Sequence, residues 1–385
     1  MRAPANAPPI RIVHVVDSLE PGGLERVTCD LAMAQIRRGH AVSVFSLQRT
    51  DGFKHELIEA GIPVIEGNKS RSLDWHLLSR LRQWVSEQGP DIVHAHNFVP
   101  NYHAALACLN LRRIPRPAQV CTIHDMGMRL SQRKLRWLFL ASLRRTQRVA
   151  MVGQRVHDKF VSDGLVDAQC ASTVLNGIPV SRFANPAAGR ASARQALGVP
   201  DSATLIGCVG RLVPLKNHHR MIDVFSRLLP DHPNLRLAII GDGECRDALK
   251  AQVTALGLSE HVTLFGHHPN VSQLLPALDV FALPSQTEGL SIALLEACAS
   301  ELAIVATAVG GNPDIIQDAS TGLLVPPDDN DALAQALRKL LDHPQLRQEL
   351  GQRAREWVSA NASDQALEQA YDHCYREAIQ RLRPT

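Results

Sequence analysis

The sequence predicts an α/β protein of two doubly wound, parallel-sheet domains facing each other across a cleft. Its 385 residues exceed what one hydrophobic core organises. Short β-rich apolar runs alternate with helical patterns along the whole chain, the signature of parallel strands joined by helices. That alternation breaks between Phe183 and Val199, where Asn-Pro-Ala-Ala-Gly-Arg precedes a short helix and a new first strand. The domains are therefore read as 1–183 and 184–363, with a helical tail, 364–385, expected to pack back on the first.

In the first half the strand candidates are Arg11–Asp17, Ala41–Leu47, Pro63–Glu66, Asp91–His94, Gln119–His124 and Val149–Val152. In the second they are Leu205–Val209, Arg236–Ile240, Val262–Phe265, Val280–Leu283, Ala303–Ala306 and Gly322–Val325. Each half holds enough strands for its own doubly wound sheet. Such sheets bind ligands outside the carboxyl ends of their strands, so the strand-to-helix loops there are where chemistry is sought.

Apolar residues form 45% of the chain and charged residues 21%, the balance of a soluble folded protein. Met1 to Pro9 carries one charge and no apolar core, so no secretory leader is expected. No apolar run approaches the roughly 18 residues of a membrane-crossing helix. The eight cysteines are scattered without a Cys-x-x-Cys pair, which argues against a zinc ribbon or disulfide framework and for a cytoplasmic protein.

Charge is uneven along the chain. Residues 1–183 hold 24 Lys and Arg against 15 Asp and Glu, while 184–385 hold 17 against 23, so the first half should seek an anionic partner. Arg129 to Arg148 has seven cations, no acid, and an apolar middle containing Leu135, Trp137, Leu138, Phe139, Leu140 and Leu143. That composition suits a helix on an anionic lipid surface and equally a core helix with a solvated basic face. Nucleic acid is not expected as a partner: aromatic residues are 4%, and leucines rather than stacking platforms interrupt the basic segment.

Four loops carry the candidate chemistry. Gly22-Gly23, after the first strand, is a glycine turn into a helix whose amides could approach a phosphate, although such a pair is more often only a turn. Gly210-Arg211-Leu-Val-Pro-Leu-Lys216 places two cations on a strand-to-helix loop, where a planar fork and a point charge can grip a diphosphate. Gly241-Asp242-Gly243 lacks the last glycine of a dinucleotide fingerprint, Arg246 standing there, and reads as the lining of a nucleotide cleft. The fourth runs from Val280 through Pro284, Glu288, Gly289, Leu290 and Ser291 to Glu296, with a helix beginning near Ser291. Helical spacing would part its two glutamates by about 12 Å, close to the reach from a donor sugar across its diphosphate to the ribose. The amides of Gly289 to Ser291 would face the phosphates between them.

Together with Asp91-Ile-Val-His-Ala-His96, Thr122-Ile-His124-Asp125, Asn176-Gly177-Ile-Pro and Val309-Gly310-Gly311, these motifs resemble the retaining glycosyltransferases of family four across nearly the whole length. The resemblance implies the GT-B fold of two Rossmann-like domains and transfer of a hexose-type sugar from a nucleotide diphosphate sugar. Its acceptor would be a glycan or a polyprenyl- or other lipid-linked glycan, in lipopolysaccharide, capsule or exopolysaccharide assembly. It implies that Arg211 and Lys216 hold the diphosphate, Glu288 the sugar hydroxyls and Glu296 the ribose, and that His124 is the histidine near the anomeric carbon. One departure is local: Glu301 and Ala303 stand where similar proteins have Gly and Pro, so the exit of the helix is expected to differ.

The implied reaction retains anomeric configuration, with Arg211, Lys216 and the helix amides opposing the charge that grows on the leaving diphosphate. No cofactor or metal is then expected; Asp329-Asn-Asp331, after Pro326-Pro327, reads as a helix cap. The competing readings are a nucleotide-sugar epimerase, a glycan phosphorylase and a non-catalytic sugar-nucleotide-binding subunit. The expected location is the cytoplasm or the inner face of its membrane.

Overall fold

Runs such as Leu205-Ile-Gly-Cys-Val209 and Ala303-Ile-Val-Ala306 have no polar face to offer water, so they are stable as strands only in a sheet covered on both sides. The computed structural model describes residues 8–71, 74–109, 111, 115–124, 128–183, 186–268 and 270–382. It divides into two compact units, 1–178 with 364–385, and 179–363. The boundary read from sequence at Phe183 falls at the end of the 3-10 turn Val180–Phe183.

The first unit holds β1 (Arg11–Val16), β2 (Ala41–Ser46), β3 (Val64–Glu66), β4 (Ile92–His96), β5 (Ala118–Ile123), β6 (Arg148–Met151) and β7 (Ala171–Thr173), in the order β3-β2-β1-β4-β5-β6-β7. β7 was not anticipated. It is a three-residue edge strand of small and polar residues that pairs, among the described residues, with β6 alone, too short to show a pattern. The register Ile12↔Ile92 and His14↔His94 across β1 and β4 puts equivalent side chains of both strands on one face. The C-terminal helix Asp364–Leu382 covers part of that face, burying Leu367, Tyr371, Cys374, Tyr375 and Ala378. Arg37–Asp364, Arg38–Glu368 and Arg376–Asp372 ion pairs rim it.

The second unit holds β8 (Thr204–Val209), β9 (Leu235–Ile240), β10 (Val262–Gly266), β11 (Val280–Leu283), β12 (Ala303–Thr307) and β13 (Leu323–Val325), in the order β10-β9-β8-β11-β12-β13. Strand order therefore reverses between β1 and β4 in one unit and between β8 and β11 in the other, the places where doubly wound sheets bind ligands. Asp329 caps the helix Asn330–Asp342, accepting from the Ala332 amide at 2.8 Å.

The exit of the helix Ile292–Ala299 keeps the usual form despite Glu301. Leu302 N–H donates to Ala297 O and Glu301 N–H to Cys298 O, the paired bonds of a Schellman motif. Glu301 takes the left-handed conformation, φ 58°, that glycine adopts without strain. Glu301 thus occupies a standard Schellman exit.

Candidate active site

In the second unit, close backbone approach gathers the loops after β8, β9, β11 and β12. Gly210 N–H donates to Ile240 O, Leu212 N–H to Asp242 O, and Gln286 N–H to Leu215 O. A Cβ on Gly241 would collide with the Gly210 carbonyl oxygen, and one on Gly310, at φ 50°, with that of Glu288. Gly311 N–H donates to Gly289 O at 2.7 Å. These glycines are thus required by contact between loops rather than by turns alone.

Within this frame Glu288 is buried, which demands donors for its carboxylate. Two are supplied on Oε1: Lys216 Nζ at 2.6 Å and the Ser285 hydroxyl at 2.7 Å. Ser285 is itself held, its carbonyl accepting from the Thr307 hydroxyl at 2.6 Å, while Asn312 Nδ2 donates to Thr307 O. Ser285, Thr307 and Asn312 were missed from sequence; Thr307 alone carried a local signal, as the polar last residue of the otherwise apolar β12, while Ser285 stands in the loop beyond β11 and Asn312 opens a short helix. The structure thus brings together Lys216 and Glu288, which sequence reasoning assigned to different parts of the ligand.

The helical estimate for the glutamates does not hold. The helix starts at Ile292, with Ser291 as its N-cap accepting from Leu294 N–H. Glu288, Gly289 and Leu290 form a loop outside the helix, so the 12 Å spacing has no basis; Glu296 is half-buried one turn into the helix. Arg211 is exposed. Asp242 is turned to its own loop, accepting from Gly243 N–H at 2.8 Å.

In the first unit Gly22 is the N-cap of the helix Gly23–Arg37. A Cβ there would collide with the Glu25 carboxylate, so the chain's own anion lies over this positive helix end. His124 follows β5, its N–H bonded to Asn97 Oδ1 at 2.9 Å. Its Nε2 lies 3.2 Å from His96 Nδ1, and His96 Nε2 lies 3.0 Å from His14 Nδ1. Burial lowers the pKa of His14 to about 4 and of His124 to about 3, and pushes His94 and His96 well below the ordinary imidazole value, so all four rings are neutral at neutral pH. His94 and His96 are therefore neither isolated core histidines nor solvent-facing groups, but members of one network with His124.

Among the described residues, His14, His94 and His96 bring three potential metal-ligating atoms within 4.8 Å of one another, as do His40, Glu368 and Asp372. In the first set the nitrogens already have protein partners: Gln35 and His96 for His14, Tyr375 and Thr122 for His94. The acids of the second are engaged by Arg38 and Arg376.

The basic segment forms the helix Arg133–Leu143. Leu135 and Phe139 are buried in the core of the first unit, with Phe139 edge-on to Phe98. Trp137 remains 68% exposed, beside exposed Arg133, Lys134 and Arg136. This helix thus anchors itself in the core and keeps one tryptophan and three cations outside. No helix among the described residues is long and apolar enough to cross a membrane.

Known proteins resemble this chain along most of its length. The model of glycosyl transferases group 1 matches residues 189–357, and that of glycosyltransferase family 4 matches 21–182. A UDP-Gal:alpha-D-GlcNAc-diphosphoundecaprenol alpha-1,3-galactosyltransferase of Escherichia coli is 27% identical over 73% of this chain and 74% of its own. A GDP-mannose-dependent alpha-(1-6)-phosphatidylinositol monomannoside mannosyltransferase of Mycolicibacterium smegmatis is 34% identical, over 48% of this chain and 50% of its own; the chain spans about half the length of that relative. The crystal structure of Anabaena HepE with UDP-glucose superposes with a TM-score of 0.83 over 94% of this chain and 98% of that one, at 23% identity, showing the same fold. The molecule is a glycosyltransferase of the GT-B fold. It belongs to the group 1, family 4 glycosyltransferases.

Proposed function

We propose that the protein transfers a hexose-type sugar from a nucleotide diphosphate sugar to a polyprenyl- or other lipid-linked glycan, with retention of anomeric configuration. The observation that carries this reading is the buried Glu288 carboxylate, held by Lys216 and Ser285 at the strand-order reversal of the second unit. A buried carboxylate at such a place is suited to accept from sugar hydroxyls, and Lys216 beside it to meet a phosphate. In this reading the diphosphate draws Lys216 and the exposed Arg211, Glu288 exchanges the ammonium for sugar hydroxyls, and Glu296 accepts from the ribose. The two cations and the amides of Gly289 to Ser291 oppose the charge growing on the leaving phosphate. Turnover then needs no metal, and EDTA leaves it unchanged. His124 contributes positioning and electrostatics at the reacting carbon.

The relatives named above use UDP- and GDP-linked sugars, and one acts on a diphosphoundecaprenol-linked acceptor, which supports this donor and acceptor class. The exposed Trp137 with Arg133, Lys134 and Arg136 supports binding to an anionic inner-membrane surface, where that acceptor would reside. The decisive test is a thermal-shift screen of UDP-, GDP- and ADP-sugars without metal. Stabilisation by one nucleotide class, lost in Arg211→Ala, is expected; stabilisation that survives in Arg211→Ala overturns the assignment of the diphosphate site. Cosedimentation with phosphatidylglycerol vesicles, reduced in Trp137→Ala, tests the membrane surface.

A further inference from the structure

His124 is the end of a continuous chain of hydrogen bonds through the first unit. Tyr371 OH lies 2.7 Å from Thr122 Oγ1, which lies 2.7 Å from His94 Nε2; His94 Nδ1 lies 2.8 Å from Tyr375 OH. Tyr375 OH accepts from Gln35 Nε2 at 3.0 Å, and Gln35 Oε1 lies 2.8 Å from His14 Nε2. His14 Nδ1 meets His96 Nε2, and His96 Nδ1 meets His124 Nε2. The chain uses both nitrogens of His14, His94 and His96.

Because these rings are neutral, each carries one proton, and each bond dictates the next. Gln35 Oε1 can only accept, so His14 bears its proton on Nε2 and presents a bare Nδ1. His96 must then carry its proton on Nε2, leaving Nδ1 bare; Thr28 Oγ1 lies 3.3 Å from that atom but donates its proton to Leu24 O at 3.0 Å, so the donor to His96 Nδ1 is His124 Nε2. The remaining atom, His124 Nδ1, is buried and without a partner among the described residues. A buried bare nitrogen is costly to leave unpaired, which marks it as an acceptor kept for a ligand hydroxyl. The only other self-consistent order turns the Gln35 amide over and reverses every proton, placing one on His124 Nδ1. The Gln35 amide is therefore the element that selects between them, and in the order found here its Nε2 is held by donation to the Tyr375 hydroxyl.

We propose that Gln35, His14 and His96 are positioning residues that hold the proton of His124 on Nε2 and present its Nδ1 as a bare acceptor to a hydroxyl of the bound ligand. This rests on the reading of His124 as an active-site residue.

The test is nitrogen-15 NMR of histidine-labelled protein, assigned with His124→Gln, which reports the tautomer independently of turnover. Wild type shows His124 protonated on Nε2 alone. Gln35→Leu, and Tyr375→Phe, which removes only the hydroxyl that accepts from the amide, convert His124 to a mixture of tautomers. Gln35→Glu keeps an acceptor on His14 Nε2 and, at a pH where His14 stays neutral, retains the single form. In the same two disrupting variants kcat falls by about tenfold to a hundredfold while donor KM changes by less than about twofold. An unchanged His124 tautomer in folded Tyr375→Phe overturns the relay. A mixed tautomer with unchanged kcat upholds the relay and overturns the role of His124 in the reaction.

Discussion

The two units have the same strand order around their reversal points, yet the chemistry placed there is of opposite kinds. In the second unit, charged side chains stand on loops beyond the strands: Lys216 and Glu288 pair at 2.6 Å, and interlocked glycine backbone fixes those loops. In the first, the polar groups lie within the strands: His14 on β1, His94 and His96 on β4, and Thr122 on β5, all neutral and fully enclosed. One arrangement is suited to opposing charge on a ligand, the other to orienting a neutral hydrogen bond. Topology chose the location, and the residues chose the chemistry.

The largest effect should come from the charged pair. Lys216→Met removes the cation proposed to meet the phosphate and leaves Glu288 buried with, among the described residues, Ser285 as its remaining side-chain donor, so kcat/KM should fall by about 10³-fold. His124→Ala should lower kcat while the stabilising nucleotide sugar binds within about twofold of wild type, as measured by calorimetry. Equal losses of donor affinity in both variants would break the division between the units.

The neutral histidines of the first unit predict a pH dependence of stability, to which buried His218 of the second unit, lowered to about 4, adds in the same direction. The folded pKa of His14 is about 4, against 6.5 unfolded, so between those values the unfolded chain binds more protons and stability rises with pH. Its contribution is complete above about pH 6.5 and is lost as pH falls toward 4, a change of roughly 3 kcal/mol for this group. Urea unfolding across that window should show the loss, and His14→Gln should reduce it by the share of His14 alone, because His94, His96 and His124 titrate in the same direction. A pH profile identical in the variant would mean that the network titrates elsewhere.

These comparisons also separate what was legible in the sequence from what was not. Every strand of four or more residues was readable because a strand buried on both faces is a continuous apolar run, as in Val280–Leu283. Lys216 and Glu288 were readable because each follows a recognisable strand end. Their mutual contact was not, since 72 residues part them and no periodicity connects two loops. His94 and His96, at alternate positions of buried β4, and His14 within the apolar β1 did carry a local signal, since a buried histidine demands partners on the covering layer. Gln35 and Tyr375 supply them from helices 340 residues apart, beyond any local pattern. The failed 12 Å estimate has a simpler cause: Ser291 is the N-cap, so helical spacing cannot be extended back to Glu288.

Gly310 tests how far the second site depends on interlocked backbone. Gly310→Ala adds a Cβ at φ 50°, directed at the Glu288 carbonyl oxygen. Conformational strain and the collision together should destabilise the protein by about 2 kcal/mol and weaken nucleotide-sugar binding, read by urea denaturation and calorimetry. Retained affinity with lowered stability would show that the Glu288 loop tolerates displacement.

The smallest effect is expected at Glu301, which supports the same unit from beneath the helix that carries Glu296. Its left-handed backbone is intrinsically less favourable for a side-chain-bearing residue than for glycine by about 1 kcal/mol. What offsets this is an ion pair with Arg355 at 3.3 Å, but Glu301 is 40% exposed at its side chain, and such pairs contribute little. Arg355 would keep its bonds to the carbonyls of Phe183 and Ala299. Glu301→Gly should therefore stabilise the protein by up to about 1 kcal/mol, seen as a higher urea midpoint, with turnover unchanged because the Schellman bonds remain. Destabilisation instead would show that Glu301 holds Arg355, and through it the junction at Phe183, more tightly than an exposed ion pair accounts for.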